Sequence, residues 1–237
     1  MGSPDSLAAK TLAVIPARDE EASAGAVVTG LLTSGIRQVR VIDNGSSDCT
    51  AAVAASAGAE VLREPVAGYG RACWRGIQNL PDWAQWILFC DADGSDDLGQ
   101  LPAFLLAARD ADFVLGARQP PPGGRSALTP AQRFGNVLST ALIRLGWGFT
   151  YRDLGPFRLI RRQALEDIAM RDRSWGWTLE MQVRAVENKL RIVELPVIAL
   201  PRSAGKSKIS GSITGSVRAG VVILSMLARL YRRRRCS

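Results

Sequence analysis

Residues 87–97 are ILFCDADGSDD, so an apolar run leads directly into four aspartates grouped around a glycine. The apolar residues predict a buried strand, and Asp91, Asp93, Asp96 and Asp97 follow at its end. Like charges this close disfavour each other's ionisation, so the group is costly unless a cation neutralises it. Since carboxylate oxygens suit Mg²⁺ and Mn²⁺, the stretch predicts a site for a divalent cation.

Apolar runs of the same kind recur on both sides of this stretch, and each alternates with a segment of helical character. The five runs are TLAVIPA (11–17), VRVID (39–43), AEVLREP (59–65), WILFCDAD (86–93) and DFVLGAR (112–118). The alternation predicts an α/β fold, with a mostly parallel central sheet flanked by helices. A chain of 237 residues fits one such domain.

Polar residues follow three of the predicted strands at the point where each strand ends. Residues 18–21 follow the first strand, residues 43–48 the second and residues 91–97 the fourth. Ligands of open parallel sheets bind outside the carboxyl ends of the strands. We therefore expect the three polar segments to line one crevice.

The composition narrows the chemistry of that crevice, because the chain contains no histidine. Catalysis by a Ser-His-Asp or Cys-His arrangement is excluded, as is a histidine-ligated zinc site. The four cysteines show no CxxC spacing and suit a reducing compartment. The N-terminus lacks the pattern of a secretory signal, so we expect a cytoplasmic protein.

Positive charge is concentrated at the C-terminus. From residue 202 onward there are nine basic residues and no acidic residue, which favours binding to phosphates or acidic lipid headgroups. Residues 219–228 carry no charge and are apolar apart from Ser225, yet this is only about half of a membrane span. On a helix, one face would carry Arg218, Ser225, Arg229 and Arg232. The pattern fits a helix lying in a membrane interface and, equally, a terminal helix packed on the domain.

Ordered blocks over residues 11–215 resemble glycosyltransferase family 2, the inverting nucleotide-sugar transferases with a GT-A (Rossmann-like) fold. The first blocks are VIPARDEEASAG, VRVIDNGSSDCT, GYGRACWRG and LFCDADGSDD. The later blocks, VLGAR, RFGNVLST, DLGPFRLIRRQAL, WGWTLEMQVRAVENKLRIVELPV and RSAGKSKISGS, resemble the dolichyl-phosphate mannose synthase branch. We accordingly expect a GT-A domain over residues 1–212, followed by an amphipathic helix and basic tail over residues 213–237.

The resemblance implies a role for each block. The residues implied in nucleotide binding are Pro16, Ala17, Arg18, Glu20, Asp43 and Gly70. Asp91 and Asp93 would hold the diphosphate and a Mg²⁺ or Mn²⁺ ion, as catalytic and metal-binding residues. Arg118 and Arg133 would bind the acceptor phosphate, and Arg202, Lys206 and Lys208 would form a loop over the donor diphosphate. The family commonly shows two adjacent acids where this chain has Asp43 and Asn44.

Asp153 and Glu180 complete the set of catalytic candidates. A phosphate acceptor is already nucleophilic, whereas an alcohol acceptor needs a carboxylate that removes its proton, and one of these two acids would then be the base. Glu180 opens a predicted helix, so a capping role competes with catalysis. The same competition applies to Asp97, for which we favour capping, while Asp96 stays open.

The resemblance implies an inverting, metal-dependent hexosyltransferase. The resemblance implies a donor of the GDP-mannose or UDP-glucose type and a polyprenyl or dolichyl phosphate acceptor, with peripheral association at the cytosolic membrane face. The alternative is a family 2 enzyme acting on a soluble hydroxyl acceptor. An inactive domain whose basic tail binds nucleic acid is disfavoured by the intact Asp43, Asp91 and Asp93, so no nucleic-acid partner is expected.

Overall fold

Seven strands form one sheet in the computed structural model, which describes residues 6–120, 123, 128–201 and 225–232. In chain order the strands are β1 (Thr11–Ala17), β2 (Gln38–Asp43), β3 (Glu60–Arg63), β4 (Trp86–Phe89), β5 (Phe113–Gln119), β6 (Arg158–Arg161) and β7 (Ile192–Ile198). Their order across the sheet is β3-β2-β1-β4-β6-β5-β7. The neighbours β2, β1 and β4 are parallel, so their carboxyl ends meet at one edge, as the sequence predicted.

Helices connect the strands in the predicted alternation. They are α1 (Ala24–Thr33), α2 (Thr50–Ser56), α3 (Tyr69–Gly76), α4 (Leu101–Ala107), α5 (Pro130–Trp147), α6 (Arg162–Asp167) and α7 (Trp177–Glu187). Helix α5 has a clear start and stop. A capping box of Thr129 and Gln132 opens it, and Gly148 closes it in the left-handed region at φ 75°.

One strand of the sheet runs against the others, so the sheet is mostly parallel and not wholly so. Strand β6 is antiparallel to both β4 and β5, between which it lies. Its first residue, Arg158, therefore pairs with Phe89, the last residue of β4. This reversal brings a basic residue to the carboxyl end of β4, directly before the aspartate stretch.

Apolar side chains pack against both faces of the sheet. On one face, Trp177 of α7 packs edge-on against Phe89 and Trp74. On the other face, the rings of Phe104 and Phe157 lie 4.4 Å apart between their centroids. Burial of these aromatic side chains holds α7 and α4 on the two faces of the sheet. The carboxyl edge of the sheet is thereby fixed between the two helices.

The C-terminal helix, described over residues 225–232, packs on the domain. Met226, Leu227 and Leu230 are buried in the core, while Ser225, Arg229 and Arg232 are exposed on the predicted polar face, and Tyr231 meets the ring of Trp147 edge-on. Of the two alternatives for this segment, the structure supports the packed helix over residues 225–232. The rest of residues 213–237 lies outside the described residues. Within the described part of the chain, no helix combines the length and the apolar character that crossing a membrane requires.

Candidate active site

The loops after β1 and β2 are joined by hydrogen bonds at the carboxyl edge of the sheet. Asp19 accepts hydrogen bonds from the backbone N–H of Ser47 at 2.7 Å and from its hydroxyl at 3.0 Å. In return Ser46 accepts from the N–H of Asp19, and Thr50 accepts from the N–H of Glu20 at 2.7 Å. Asp19 adopts φ 48°, a left-handed conformation that these contacts hold in place. The two loops therefore form one fixed rim.

The predicted nucleotide-binding residues of β1 and β2 lie along this rim. Pro16 and Ala17 pair with Ile42 and Asp43 across the two strands, and Arg18 is exposed beyond them. The carboxylate of Asp43 is almost fully buried and accepts from the N–H of Ser46 at 3.1 Å. The structure thus brings Pro16, Ala17, Arg18, Glu20 and Asp43 together at one edge.

Asn44 explains why the second acid of the family motif is missing here. Its buried amide nitrogen donates to the carbonyl oxygens of Glu64 at 2.9 Å and Val66 at 2.8 Å. Its amide oxygen accepts from the N–H of Gly68 at 2.7 Å. A carboxylate has no proton to donate, so an aspartate at this position would face two carbonyl oxygens. Asn44 therefore fixes the segment 64–68 beside Asp43, a role that the sequence analysis did not find.

Gly70, the remaining nucleotide-binding candidate, has a packing role in the structure. Its N–H donates to the carbonyl oxygen of Ser174 at 3.0 Å, at the start of α3. A Cβ atom added at this glycine would lie 2.5 Å from the same oxygen. Only a glycine lets the two backbone segments approach this closely.

A tight turn, and not the strand itself, sets the directions of Asp91 and Asp93. Strand β4 ends at Phe89, so the alternation of side chains along a strand does not extend to these residues. Instead the N–H of Asp91 donates to the Asp96 carboxylate at 2.9 Å, and the N–H of Ser95 donates to Asp93 at 2.9 Å. Gly94 supplies the left-handed residue, at φ 73°.

Asp96, left open by the sequence, is a buried acid of the aspartate turn, residues 91–97. Burial raises the pKa of its carboxyl to about 7, and the negative charge of Asp93 adds to this rise. The hydrogen bond from the N–H of Asp91 and the charges of Arg118 and Arg158 oppose it. A backbone bridge also pairs Asp96 with Ala199, just after β7. Asp97 caps a short 3-10 helix by accepting from the N–H of Gly99 at 3.0 Å, which confirms its predicted role.

Arg118 and Asp153 form a two-pronged ion pair beside the aspartate turn. The guanidinium donates to the carboxylate at 2.6 Å and 2.9 Å, and the N–H of Arg118 donates at 3.0 Å. Burial lowers the pKa of Arg118, but the hydrogen bond to Asp153 and the charges of Asp153, Asp91 and Asp96 together raise it above its usual value. Both carboxylate oxygens of Asp153 accept from a cation, an arrangement that favours a positioning role over that of a base.

Arg158 is a buried cation that the sequence analysis missed. Its side chain is 1% exposed, and it donates to the carbonyl oxygens of Thr178 and Gly155, while its Nε has no hydrogen-bond partner. Burial lowers the pKa of this guanidinium, and the nearby Asp153 opposes that change. A single arginine inside the apolar block LGPFRLI was the available signal. Its charge partly offsets that of the aspartates in front of it.

Glu180 is held by contacts of its own loop. Its carboxylate accepts from the N–H groups of Arg171 at 2.9 Å and Asp172 at 2.6 Å, and from Arg184 at 2.8 Å. The side chain is 2% exposed. This set of donors favours the structural alternative, in which Glu180 anchors the segment before α7.

Of the remaining basic candidates, Arg133 lies in the described part of the chain and the other three do not. Arg133 is exposed in the first turn of α5. Arg202, Lys206 and Lys208 lie outside the described residues, although the chain that leads to them is anchored. The N–H of Leu200 donates to the carbonyl oxygen of Ser95 at 3.0 Å, inside the aspartate turn. Leu200, close to the end of the described range 128–201, therefore lies beside the aspartate turn.

The chemistry of the aspartate turn fits a divalent cation shared with a phosphate ligand. Among the described residues, no three acids or cysteines are arranged to enclose a metal ion. Mg²⁺ is commonly bound by one or two carboxylates, with phosphate oxygens of the substrate and waters as the other ligands. Asp91 and Asp93 match that donor set.

A separate cleft of about 560 Å³ lies at the opposite edge of the sheet. Trp74, Leu80, Leu165 and Met170 line it together with the Arg162–Glu166 ion pair. It lies near the amino end of β4, where Trp86 pairs with Arg161. The cleft therefore takes no part in the site at the carboxyl edge.

Comparison with known proteins gives a family for the whole fold. The family model "Glycosyl transferase family 2" matches residues 12–169. An uncharacterized glycosyltransferase of Mycobacterium tuberculosis is 41% identical over 208 residues, covering 87% of this chain and 92% of that protein. The undecaprenyl-phosphate mannosyltransferase of Micrococcus luteus is 31% identical over 237 residues, covering 93% and 96%.

A solved structure supports the same architecture. The glucosyl-3-phosphoglycerate synthase of Mycobacterium tuberculosis, in complex with Mn²⁺, UDP and glucosyl-3-phosphoglycerate, superposes with a TM-score of 0.72 at 19% identity. The match covers 93% of this chain and 82% of that one. It shows a common GT-A fold.

Proposed function

The chain belongs to glycosyl transferase family 2, and from that premise we propose that it transfers a hexose from a nucleoside diphosphate sugar to a polyprenyl phosphate. The donor is of the GDP-mannose or UDP-glucose type, and the reaction inverts the anomeric carbon in a single displacement. The observation that carries the proposal is the aspartate turn, which stands next to Arg118 at the edge where the β1 and β2 loops meet.

In this proposal the donor occupies the rim of the first two loops. Asp43 and the backbone after Pro16 hold the nucleoside, because a buried carboxylate can accept a hydrogen bond from a base N–H. Asp91 and Asp93 hold Mg²⁺ or Mn²⁺ against the diphosphate. The ion, when bound, stabilises the negative charge that develops on the leaving nucleoside diphosphate.

The acceptor phosphate faces a set of fixed cations. Asp153 holds Arg118 in one orientation, so its planar guanidinium is positioned before a phosphate arrives. Arg133 in the first turn of α5 supplies a second cation, and the segment with Arg202, Lys206 and Lys208 covers the donor diphosphate. A phosphate oxyanion is a nucleophile without deprotonation, so no free carboxylate is required as a base. This agrees with the engaged state of Asp153 and Glu180.

A lipid acceptor is further supported by the undecaprenyl-phosphate mannosyltransferase relative, which aligns along 93% of this chain. Association with the membrane, on its cytosolic face, is part of the same proposal. A second candidate, a soluble hydroxyl acceptor, is favoured by the solved structure that contains glucosyl-3-phosphoglycerate.

Competition between acceptors tests the two candidates. The purified chain is incubated in detergent with Mn²⁺ and radiolabelled GDP-mannose or UDP-glucose, with a short polyprenyl phosphate and 3-phosphoglycerate offered together. We expect label in the lipid fraction only, and the loss of all label in Asp93→Asn. Label in the soluble product with none in the lipid would refute the proposal that the acceptor is a polyprenyl phosphate.

A further inference from the structure

Helix α5 turns apolar side chains outward. Phe134 is 71% exposed, Val137 65% and Leu145 84%, and Ala141 between them is also exposed. At 100° per residue these four positions fall within an arc of about 80°. The opposite side of the helix packs on the domain, where Ser139 and Ile143 are buried. We refer to the four outward residues as the α5 stripe.

The α5 stripe is the reverse of an ordinary surface helix, which turns its polar side to water. Isolated apolar residues on a surface need no explanation, and Leu106 on α4 is one of them, at 62% exposed. Several large side chains aligned on one helix form a continuous patch, and such patches mark a surface that binds something.

Positive charge predominates around the stripe, although Glu187 of α7 accepts a hydrogen bond from Trp147, at the end of α5, at 2.9 Å. Residues 113–152 contain five arginines and no acidic residue, and residues 195–237 contain nine basic residues and again no acid. Five of these basic residues are exposed in the described part of the chain: Arg133, Arg144, Arg152, Arg229 and Arg232. The contact of Tyr231 with Trp147 brings the arginine face of the C-terminal helix to the end of α5. The surface fits an apolar partner with negative charge at its boundary.

The stripe is connected to the candidate active site through its first turns. Asn136 of α5 accepts from the N–H of Leu154 at 2.9 Å, next to the Arg118–Asp153 pair. Arg133 directly precedes Phe134, so one turn of the helix carries both a proposed phosphate ligand and the most N-terminal residue of the stripe. Whatever the stripe binds is held close to the acceptor side of the site.

We propose that the α5 stripe inserts into an anionic lipid surface, with the surrounding arginines at the headgroups. The inference deepens the lipid-acceptor proposal and rests on it, because the membrane would deliver the lipid phosphate to Arg118 and Arg133. Long arginine side chains reach headgroups from a helix whose apolar residues enter the acyl boundary. The C-terminal helix contributes its charges and not its apolar face, since Met226, Leu227 and Leu230 are buried in the domain.

Charge argues against two other occupants of the stripe. A second copy of the chain, related by a two-fold axis, would bring the arginines of one α5 against those of the other. Residues 202–224 of the same chain carry four basic residues and no acid, so they too would be repelled. An acidic bilayer surface offers both apolar depth and opposite charge.

Vesicle co-sedimentation of the full chain tests the inference. Wild type should bind phosphatidylglycerol-containing vesicles at least about tenfold more tightly than pure phosphatidylcholine vesicles. The triple variant Phe134→Ser, Val137→Ser, Leu145→Ser should lose about tenfold or more of the binding to anionic vesicles. The control Leu106→Ser, with similar exposure on α4, should bind as wild type does. For charge, Arg144→Gln with Arg229→Gln should weaken binding, and Arg109→Gln should not.

The outcomes separate this inference from the proposed function. Equal vesicle binding by wild type and the triple variant overturns it. So does a wild-type dimer in light scattering that the triple variant abolishes, or a large fall in melting temperature of the triple variant, since both mean that protein covers the stripe. Hexose transfer to polyprenyl phosphate in detergent, which needs no bilayer, reports on the function alone. Vesicle binding without such transfer refutes the function and retains the membrane surface.

Discussion

The loops after β1 and β2 contain acidic side chains, whereas the surface around α5 contains arginines and large apolar side chains. Residues 1–112 contain 15 of the 22 acidic residues, and the first loops use them to accept hydrogen bonds from neighbouring backbone. Residues 113–152 contain none, and α5 exposes arginines and large apolar side chains. The first region is stabilised by internal contacts, as a site for a small polar donor requires. The second region leaves large apolar side chains of α5 exposed, as a surface for an external partner requires.

The comparison predicts its largest effect at the aspartate turn. Asp93→Asn keeps an oxygen for the N–H of Ser95 but removes a negative ligand of the ion, so turnover should fall on the order of 10³-fold. Because the charge of Asp93 raises the pKa of Asp96, its removal should let Asp96 ionise more easily and leave stability intact. Hexose transfer and thermal unfolding measure the two. Full activity in this variant would refute the role of the ion.

The next largest effect is expected on the unfolding free energy, through a substitution beside the rim formed by the loops after β1 and β2. Asn44→Asp replaces two donated hydrogen bonds by a buried carboxylate facing carbonyl oxygens, which should cost about 3 kcal/mol or more of unfolding free energy. Asn44→Ser, which keeps a donor, is the milder control. Urea unfolding followed by circular dichroism measures both. If Asn44→Asp is as stable as wild type and binds UDP or GDP normally, the account of the missing second acid is wrong.

A smaller, pH-dependent effect belongs to Asp112, the last acid before the acid-free stretch. Hydrogen bonding to Arg191 lowers the pKa of Asp112 to about 2, with Arg161 adding to the effect. Its unfolded pKa is near 3.9, so the ionised group stabilises the fold above about pH 4, and this contribution is lost as the pH falls through about 2. Since Arg191 is exposed and Arg161 is partly exposed, Asp112→Asn should cost about 1 kcal/mol at pH 7.

The test of that pH dependence is the convergence of the two proteins. Unfolding free energies of wild type and Asp112→Asn should differ at pH 7 and become equal near pH 2. A difference that stays constant over this range would mean that the ion pair does not contribute.

The smallest effect is expected on the stability of the α5 stripe. Serine at Phe134, Val137 and Leu145 should change the unfolding free energy by less than about 0.5 kcal/mol per site, because these side chains are exposed. On the opposite side of the same helix, Ile143→Ser should cost about 3 kcal/mol, since Ile143 is fully buried. Equal losses on the two sides, measured by urea unfolding, would remove the contrast between the regions.

The sequence was sufficient for those features that local patterns encode. The apolar run predicted a strand at residues 11–17, where the structure has β1. Clusters of polar residues after the strands predicted the edge at which the β1, β2 and β4 loops meet. Both signals depend on short-range order along the chain.

Other features depend on contacts between distant segments and could not be predicted in that way. The block LGPFRLI does not indicate the direction of β6. The position of Arg158 beside Phe89 could therefore be found only from the pairing of β4 with β6 in the sheet. Strand β4 ends at Phe89, one residue before the end of the apolar run 87–90, and the turn that follows orients Asp91 and Asp93. The partners of Glu180, which are the N–H groups of Arg171 and Asp172 and the side chain of Arg184, depend on how the loop before α7 folds.

The central claim is that the aspartate turn and the arginines beside it transfer a hexose to a lipid phosphate. The most direct measurement is organic extraction of label after wild type and Asp93→Asn are incubated with Mn²⁺, radiolabelled nucleotide sugar and vesicles that contain polyprenyl phosphate. The account predicts mild-acid-labile label in the organic phase for wild type and on the order of 10³-fold less for Asp93→Asn. Absence of organic-phase label with every donor, while a soluble acceptor is glycosylated, would contradict it.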